Sequence, residues 1–108
     1  MSYRVRSEKP KLNEKDIQRQ IVDYLRTKGW FVAITSQKGF SFATPGLPDL
    51  IAVKDSIRKR RRTVWIEVKG PKGKQRPEQL RFQEGLETQG GEYLLANSLD
   101  VVIDYLKT

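Results

Sequence analysis

Two alternating runs, DLIAVK at residues 49–54 and TVWIEVK at residues 63–69, limit the fold more than any other feature of this chain. Side chains alternate between faces along a strand. In the second run Val64, Ile66 and Val68 therefore share one face, and Trp65, Glu67 and Lys69 share the other. The intervening DSIRKRRR is polar and short, so the two runs are expected to pair as an antiparallel hairpin with a basic tip. Antiparallel pairing brings the start of one strand beside the end of its partner. Asp49, Glu67 and Lys69 are thus expected to meet at one end of the pair.

The remaining elements follow from local pattern. Asn13 is suited to cap a helix starting at Glu14, with Ile17, Ile21, Tyr24 and Leu25 at helical spacing and Gly29 ending it. WFVAIT at 30–35 reads as a strand, and SQKGFSFATPGLP at 36–48, with two Gly and two Pro, as a long loop. Pro77 fits the first turn of a helix that Gly90 and Gly91 stop. EYLLA is a short strand, and Ser98 caps a last helix with Leu99, Val102, Ile103 and Leu106 on its apolar face. The expected fold is an α/β (α+β) domain, one mixed sheet with helices packed on it, in the order α-β-β-β-α-β-α. It occupies residues 13–108 behind a flexible basic arm at 1–12.

Composition narrows the chemistry. The 108 residues contain no Cys and no His, which excludes disulfides, Cys/His zinc sites and Ser-His-Asp triads. A metal here must sit among oxygen ligands, which suit Mg²⁺ or Mn²⁺. The net charge of +8 favours a polyanionic partner, nucleic acid before an anionic membrane. No apolar run approaches the ~20 residues of a spanning helix, and the first residues lack a secretory pattern. A cytoplasmic location is expected, and the small stand-alone design suggests a phage or bacterial source. No small-molecule cofactor is implied: Gly70-Pro71-Lys72-Gly73-Lys74 lacks the Walker spacing and reads as a basic loop.

Two carboxylates side by side repel, and a divalent cation between them relieves the repulsion. Asp49 and Glu67 can supply oxygen ligands, with the Val68 carbonyl as a third. Lys69 can then orient or deprotonate an attacking water, or offset charge developing on a phosphate. An E-x-K tripeptide alone is more often a surface pair. Here the wider pattern weighs against that: Gly46-Leu47-Pro48-Asp49 followed by Glu67-Val68-Lys69 resembles the virus-type replication-repair nuclease (VRR-NUC) domain, a branch of the PD-(D/E)XK superfamily. The resemblance runs from about residue 13 to the end of the chain and implies a restriction-endonuclease-like core.

It also implies roles for single positions. Asp49 and Glu67 match the family's metal ligands and Lys69 its catalytic lysine. Glu14 matches an acidic residue near the metal, acting through water. Gln79 matches a glutamine facing the site, and shares a helical face with Phe82 and Leu86. The plainer readings are a helix-start glutamate favoured by the dipole and a solvent-exposed boundary glutamine. Gly46 and Pro48 are expected to shape the turn that presents Asp49. Gln18, one turn after Glu14, is within reach of the same region.

Arg58, Lys59, Arg60, Arg61 and Arg62 at the hairpin tip, with Lys72, Lys74, Arg76 and Arg81 beyond the second strand, form the expected DNA contacts. The plainer reading of such runs is a solvated turn. Phosphate contacts give affinity without sequence readout, so selectivity for DNA structure is expected. Stand-alone domains that resemble this one act as homodimers on branched DNA, including four-way junctions. The loop at 36–48, with Phe40 and Phe42, and the C-terminal helix are the expected dimer surfaces. The competing reading is a non-catalytic basic nucleic-acid-binding module. Asp49→Ala discriminates the two: the module keeps its affinity, whereas the nuclease loses turnover and still binds.

Overall fold

The computed structural model describes residues 12–36, 44–55 and 61–107. Helix α1 spans Glu14–Thr27 and strand β1 Phe31–Ile34. Strands β2 (Leu50–Asp55) and β3 (Arg61–Val68) follow, then helix α2 (Pro77–Thr88), strand β4 (Glu92–Ala96) and helix α3 (Leu99–Leu106). The four strands form one sheet in the order β1-β2-β3-β4. The first two pairings are antiparallel and β3–β4 is parallel, with α2 as the crossover. This is the expected α-β-β-β-α-β-α order and the mixed α+β class. None of the helices among the described residues is long and apolar enough to cross a membrane.

Local chemistry sets the boundaries. Asn13 and Asp16 form a reciprocal capping box, with the Asp16 N–H donating to Asn13 Oδ1 at 2.8 Å. Helix α1 ends on Gly29 at φ +92°, and the Trp30 N–H reaches back to the Leu25 carbonyl at 2.9 Å. Gly90 and the Gly91 N–H close α2 in the same way, 2.9 Å from the Leu86 carbonyl.

Alternation decides which face is core. Val64, Ile66 and Val68 are fully buried with Leu50, Ala52, Leu94 and Ala96 beneath Ile17, Ile21 and Leu25 of α1 and Val102 of α3. Each large side chain buried this way stabilises the fold by roughly 1.5–3 kcal/mol. On α3, Val101 and Tyr105 join Leu99, Val102 and Leu106 against this core, in place of the expected Ile103. Tyr105 is held on this side by Glu92, which accepts from its hydroxyl at 2.8 Å. The opposite face carries α2, whose Phe82 ring lies 5.6 Å from Trp65 and 6.5 Å from Tyr93.

The hairpin strands run further than their apolar pattern. Asp55 pairs with Arg61 across the ladder, so opposite charges extend it. The next residue, Arg62, points to the core face, where Glu92 accepts from its Nη2 at 2.9 Å and its Nε at 3.0 Å. The guanidinium also lies 5.5 Å from the Tyr105 ring centre.

Candidate active site

Asp49 lies immediately before β2. Leu50 is opposite Ile66, so one further step in that register sets Asp49 opposite Glu67. The expected meeting therefore occurs, at the ends of the two central strands. The Asp49 carboxylate accepts the Val68 N–H through Oδ2 at 2.9 Å. Behind it, Pro48 is fully buried, and its carbonyl accepts from the Thr35 hydroxyl. The Thr35 N–H donates to the Asp49 carbonyl at 2.8 Å. Gly46, at φ +81°, presses the turn onto the first turn of α2, where a side chain would run into the Glu78 carbonyl.

Glu67 is 3 % exposed, and Lys69, at 8 %, stands beside it with Nζ 3.4 Å from Oε2. The same oxygen accepts from Gln79 Nε2 at 2.8 Å. That amide has one sensible orientation, because Gln79 Oε1 accepts the Arg76 N–H at 2.8 Å at the start of α2. Flipping it would set oxygen against carboxylate and NH₂ against N–H. Gln79 is thus buried and bonded to Glu67, where the family resemblance, supported by its helical spacing, set it facing the site. Glu67 Oε1 is left as the buried side-chain polar atom without a hydrogen-bond partner among the described residues.

Electrostatics follow from this packing. Burial, and then the charge of Asp49, push the Glu67 carboxyl up to about 7, with Lys69 opposing the shift. Burial also raises Asp49, against the pull of the Val68 N–H. Glu14, exposed at the head of α1, raises both through its charge. Tyr93 is driven up to about 12, chiefly by burial, with Gln75 opposing and the two carboxylates adding to it.

The shift of Glu67 carries a stability signature. Unfolded, the group ionises near 4.5; folded, near 7. Its contribution is therefore full below about pH 4.5 and lost as pH rises through about 7. Without divalent cations, Glu67→Gln is expected to gain on the parent between about pH 5 and about pH 8, by roughly 2 kcal/mol. Urea unfolding midpoints at the two pH values measure this, and an unchanged difference would refute the buried-carboxyl account.

Among the described residues no group of three or more acidic side chains stands at metal-ligand spacing. The pair nevertheless fits one hard cation. Mg²⁺-type sites use one or two carboxylates and fill the remaining positions with water and substrate phosphate. A buried carboxylate oxygen lacking a donor, beside a second carboxylate, is the acceptor such an ion requires.

The other expected site residues fall into separate places. The Gln18 amide donates to Ser36 Oγ at 3.3 Å and not to Asp49, Glu67 or Lys69. Lys72, Lys74 and Arg76 are exposed on the loop between β3 and α2. Lys72 and Glu14 line a cavity of about 430 Å³ together with Gly70 and Pro71. Arg76, Gln79 and Thr35 line another of about 420 Å³. Arg61 is exposed, whereas Arg62 is committed to Glu92. Both sit at the far end of β3, Arg62 about 16 Å from Glu67 at ~3.3 Å per residue. Arg58, Lys59, Arg60, Phe40 and Phe42, and the arm up to residue 11, lie outside the described residues. Thr35 and the Gln75–Tyr93 contact were not anticipated from sequence: a Thr ending a β-branched run and a Gln in a basic loop carry no distinguishing pattern.

The sequence profile of the VRR-NUC domain matches residues 4–100. One solved VRR-NUC domain is similar over 87 % of this chain and 94 % of its own, at 24 % identity and a TM-score of 0.68. A second structure, of a VRR-NUC domain protein, is similar over 91 % of this chain and 88 % of its own, at 20 % identity and a TM-score of 0.69. At these identities the likeness speaks for the fold. No curated protein matches the chain.

Proposed function

The chain belongs to the VRR-NUC domain family of nucleases, and from that premise we propose that it is a Mg²⁺- or Mn²⁺-dependent endonuclease that cuts branched DNA, such as four-way junctions, as a homodimer. The observation that carries the metal-dependent reading is the buried, unpartnered Glu67 Oε1 beside Asp49 and Lys69. Asp49 and Glu67 would hold the cation, with the Val68 carbonyl and, through water, Glu14. When bound, the ion supplies Lewis-acid polarisation of the phosphoryl oxygen and a more acidic water.

The protein's own groups do the rest. Gln79 holds the Glu67 carboxylate in one orientation. The Val68 N–H does the same for Asp49. Lys69, ion-paired with Glu67, would bring a positive charge to where negative charge develops on the phosphate. Lys72, Lys74 and Arg76 border the centre and supply phosphate contacts, and the hairpin cations supply a second set. Sequence-blind contacts of this kind support selection by DNA shape. A two-fold dimer would present two centres symmetrically, as paired nicks at a junction require.

The test uses labelled four-way junction, flap and linear duplex DNA with Mg²⁺, Mn²⁺ or EDTA. Cleavage that needs the cation and favours the junction is expected, with a dimeric mass in sedimentation. Tight binding with no cleavage under either ion would replace this reading with a non-catalytic DNA-binding module.

A further inference from the structure

We infer that Thr35 is a positioning residue of the active centre, fixing the backbone from which Asp49 presents its carboxylate to a divalent cation. The inference rests on the nuclease reading above and adds a residue to it.

The turn before Asp49 is short of one donor. Pro48 has no N–H to join a ladder, and it is fully buried, so its carbonyl needs a partner from outside the strand. Thr35 provides it. The residue follows the last position of β1, and its N–H continues the β1–β2 ladder by donating to the Asp49 carbonyl at 2.8 Å. Its hydroxyl donates to the Pro48 carbonyl. One residue, 8 % exposed, thereby takes two consecutive carbonyls, one on each side of the Asp49 Cα. Two fixed peptide planes leave the Asp49 Cα–Cβ bond one direction. That direction carries the carboxylate to the Val68 N–H at 2.9 Å, opposite Glu67.

The residue type suits the task. Branching at Cβ stiffens χ1, so the hydroxyl stays aimed at one carbonyl. Valine keeps the shape and loses the donor. Serine keeps the donor and loses a methyl group. A merely structural Thr35 would affect melting alone, whereas a positioning Thr35 affects how well the folded protein binds a cation. Partners that orient metal ligands typically cost about 10–100-fold in affinity or activity when removed.

The experiment compares the full chain with Thr35→Val and Thr35→Ser. Mn²⁺ affinity is measured by calorimetry without DNA at about pH 8. Cleavage constants and thermal melting are measured alongside. Thr35→Val is expected to bind Mn²⁺ about tenfold more weakly and to lose about tenfold in kcat, with KM for DNA within about twofold of the parent. Thr35→Ser is expected to restore most of the Mn²⁺ affinity. If Thr35→Val does not fold, Thr35→Ala takes its place with the same expectation. Parental Mn²⁺ affinity in a folded variant that merely melts lower would overturn the inference, as would a serine variant as weak as valine. A parent chain that neither binds Mn²⁺ nor cleaves would instead remove the nuclease reading, and this inference with it.

Discussion

Glu67→Gln is expected to lose at least about a thousandfold in turnover while binding branched DNA at parental affinity or better. Glutamine matches glutamate in size, so the packing around the position is kept. The amide oxygen can still accept from Gln79 Nε2, which sits 2.8 Å from Oε2 in the parent. The NH₂ must then occupy the place of Oε1, the buried oxygen that lacks a donor. A donor stands where a cation requires an acceptor, and a unit of negative charge beside the incoming phosphate is gone. Affinity and turnover therefore move in different directions. Lys69→Ala is expected to lose turnover too, while still binding Mn²⁺. Single-turnover cleavage and fluorescence anisotropy on the same junction measure both quantities. Residual cleavage within about tenfold of the parent would show that Glu67 is not a ligand of the reacting centre.

Gly46→Ala is expected to destabilise the protein by about 2–4 kcal/mol, and to lower cleavage per folded molecule as well. Two effects add. The residue sits at φ +81°, where a side chain costs about 1 kcal/mol or more. Its Cβ would also run into the Glu78 carbonyl and approach the Gln79 nitrogen to 2.9 Å. Those are backbone atoms, so no rotamer change relieves the clash. Either the Asp49 turn or the start of α2 must shift, and the second carries Gln79 away from Glu67. Gly85, inside α2, is the control, because a methyl group at its Cα would meet nothing within 4 Å. There alanine is expected to stabilise by up to about 1 kcal/mol through helix propensity. Denaturant midpoints of the two variants check the contrast, and equal effects would refute the proposed close approach.

What could be read in advance was whatever depends on neighbours along the chain. The alternation of TVWIEVK separates Trp65, Glu67 and Lys69 from Val64, Ile66 and Val68, and the fold keeps that separation. The meeting of Asp49 with Glu67 needed one further assumption, antiparallel pairing, which a short polar connection supports. Gln79 was legible through the family resemblance, and its place at the head of the stripe continued by Phe82 and Leu86 supported it. Thr35 and Arg62 were not legible, for one reason. The partners of Thr35 are carbonyls 13 and 14 residues away, fixed by the β1–β2 register. The partner of Arg62 is Glu92, 30 residues away, delivered by the parallel pairing of Val64 with Glu92. In the sequence Arg62 is one cation in a run, and nothing local marks it as the member that turns inward.

The parallel pairing of β3 with β4 has a consequence for how the molecule comes into being. The Lys69 N–H is taken by the Ala96 carbonyl at 2.9 Å, and α2 lies between the two strands in the chain. On a ribosome, a chain that has emerged only as far as Gln79 already carries Glu14, Asp49, Glu67 and Lys69. The outer edge of β3 is then unpaired, and α2 lacks the Tyr93 contact that β4 adds to the Trp65 one. Residues at 92–96 must arrive before β3 has both of its neighbours and before the Lys69 N–H has its partner, so the sheet is completed late in synthesis. A growing chain with a strong positive charge can meet nucleic acid before the sheet around these groups is complete.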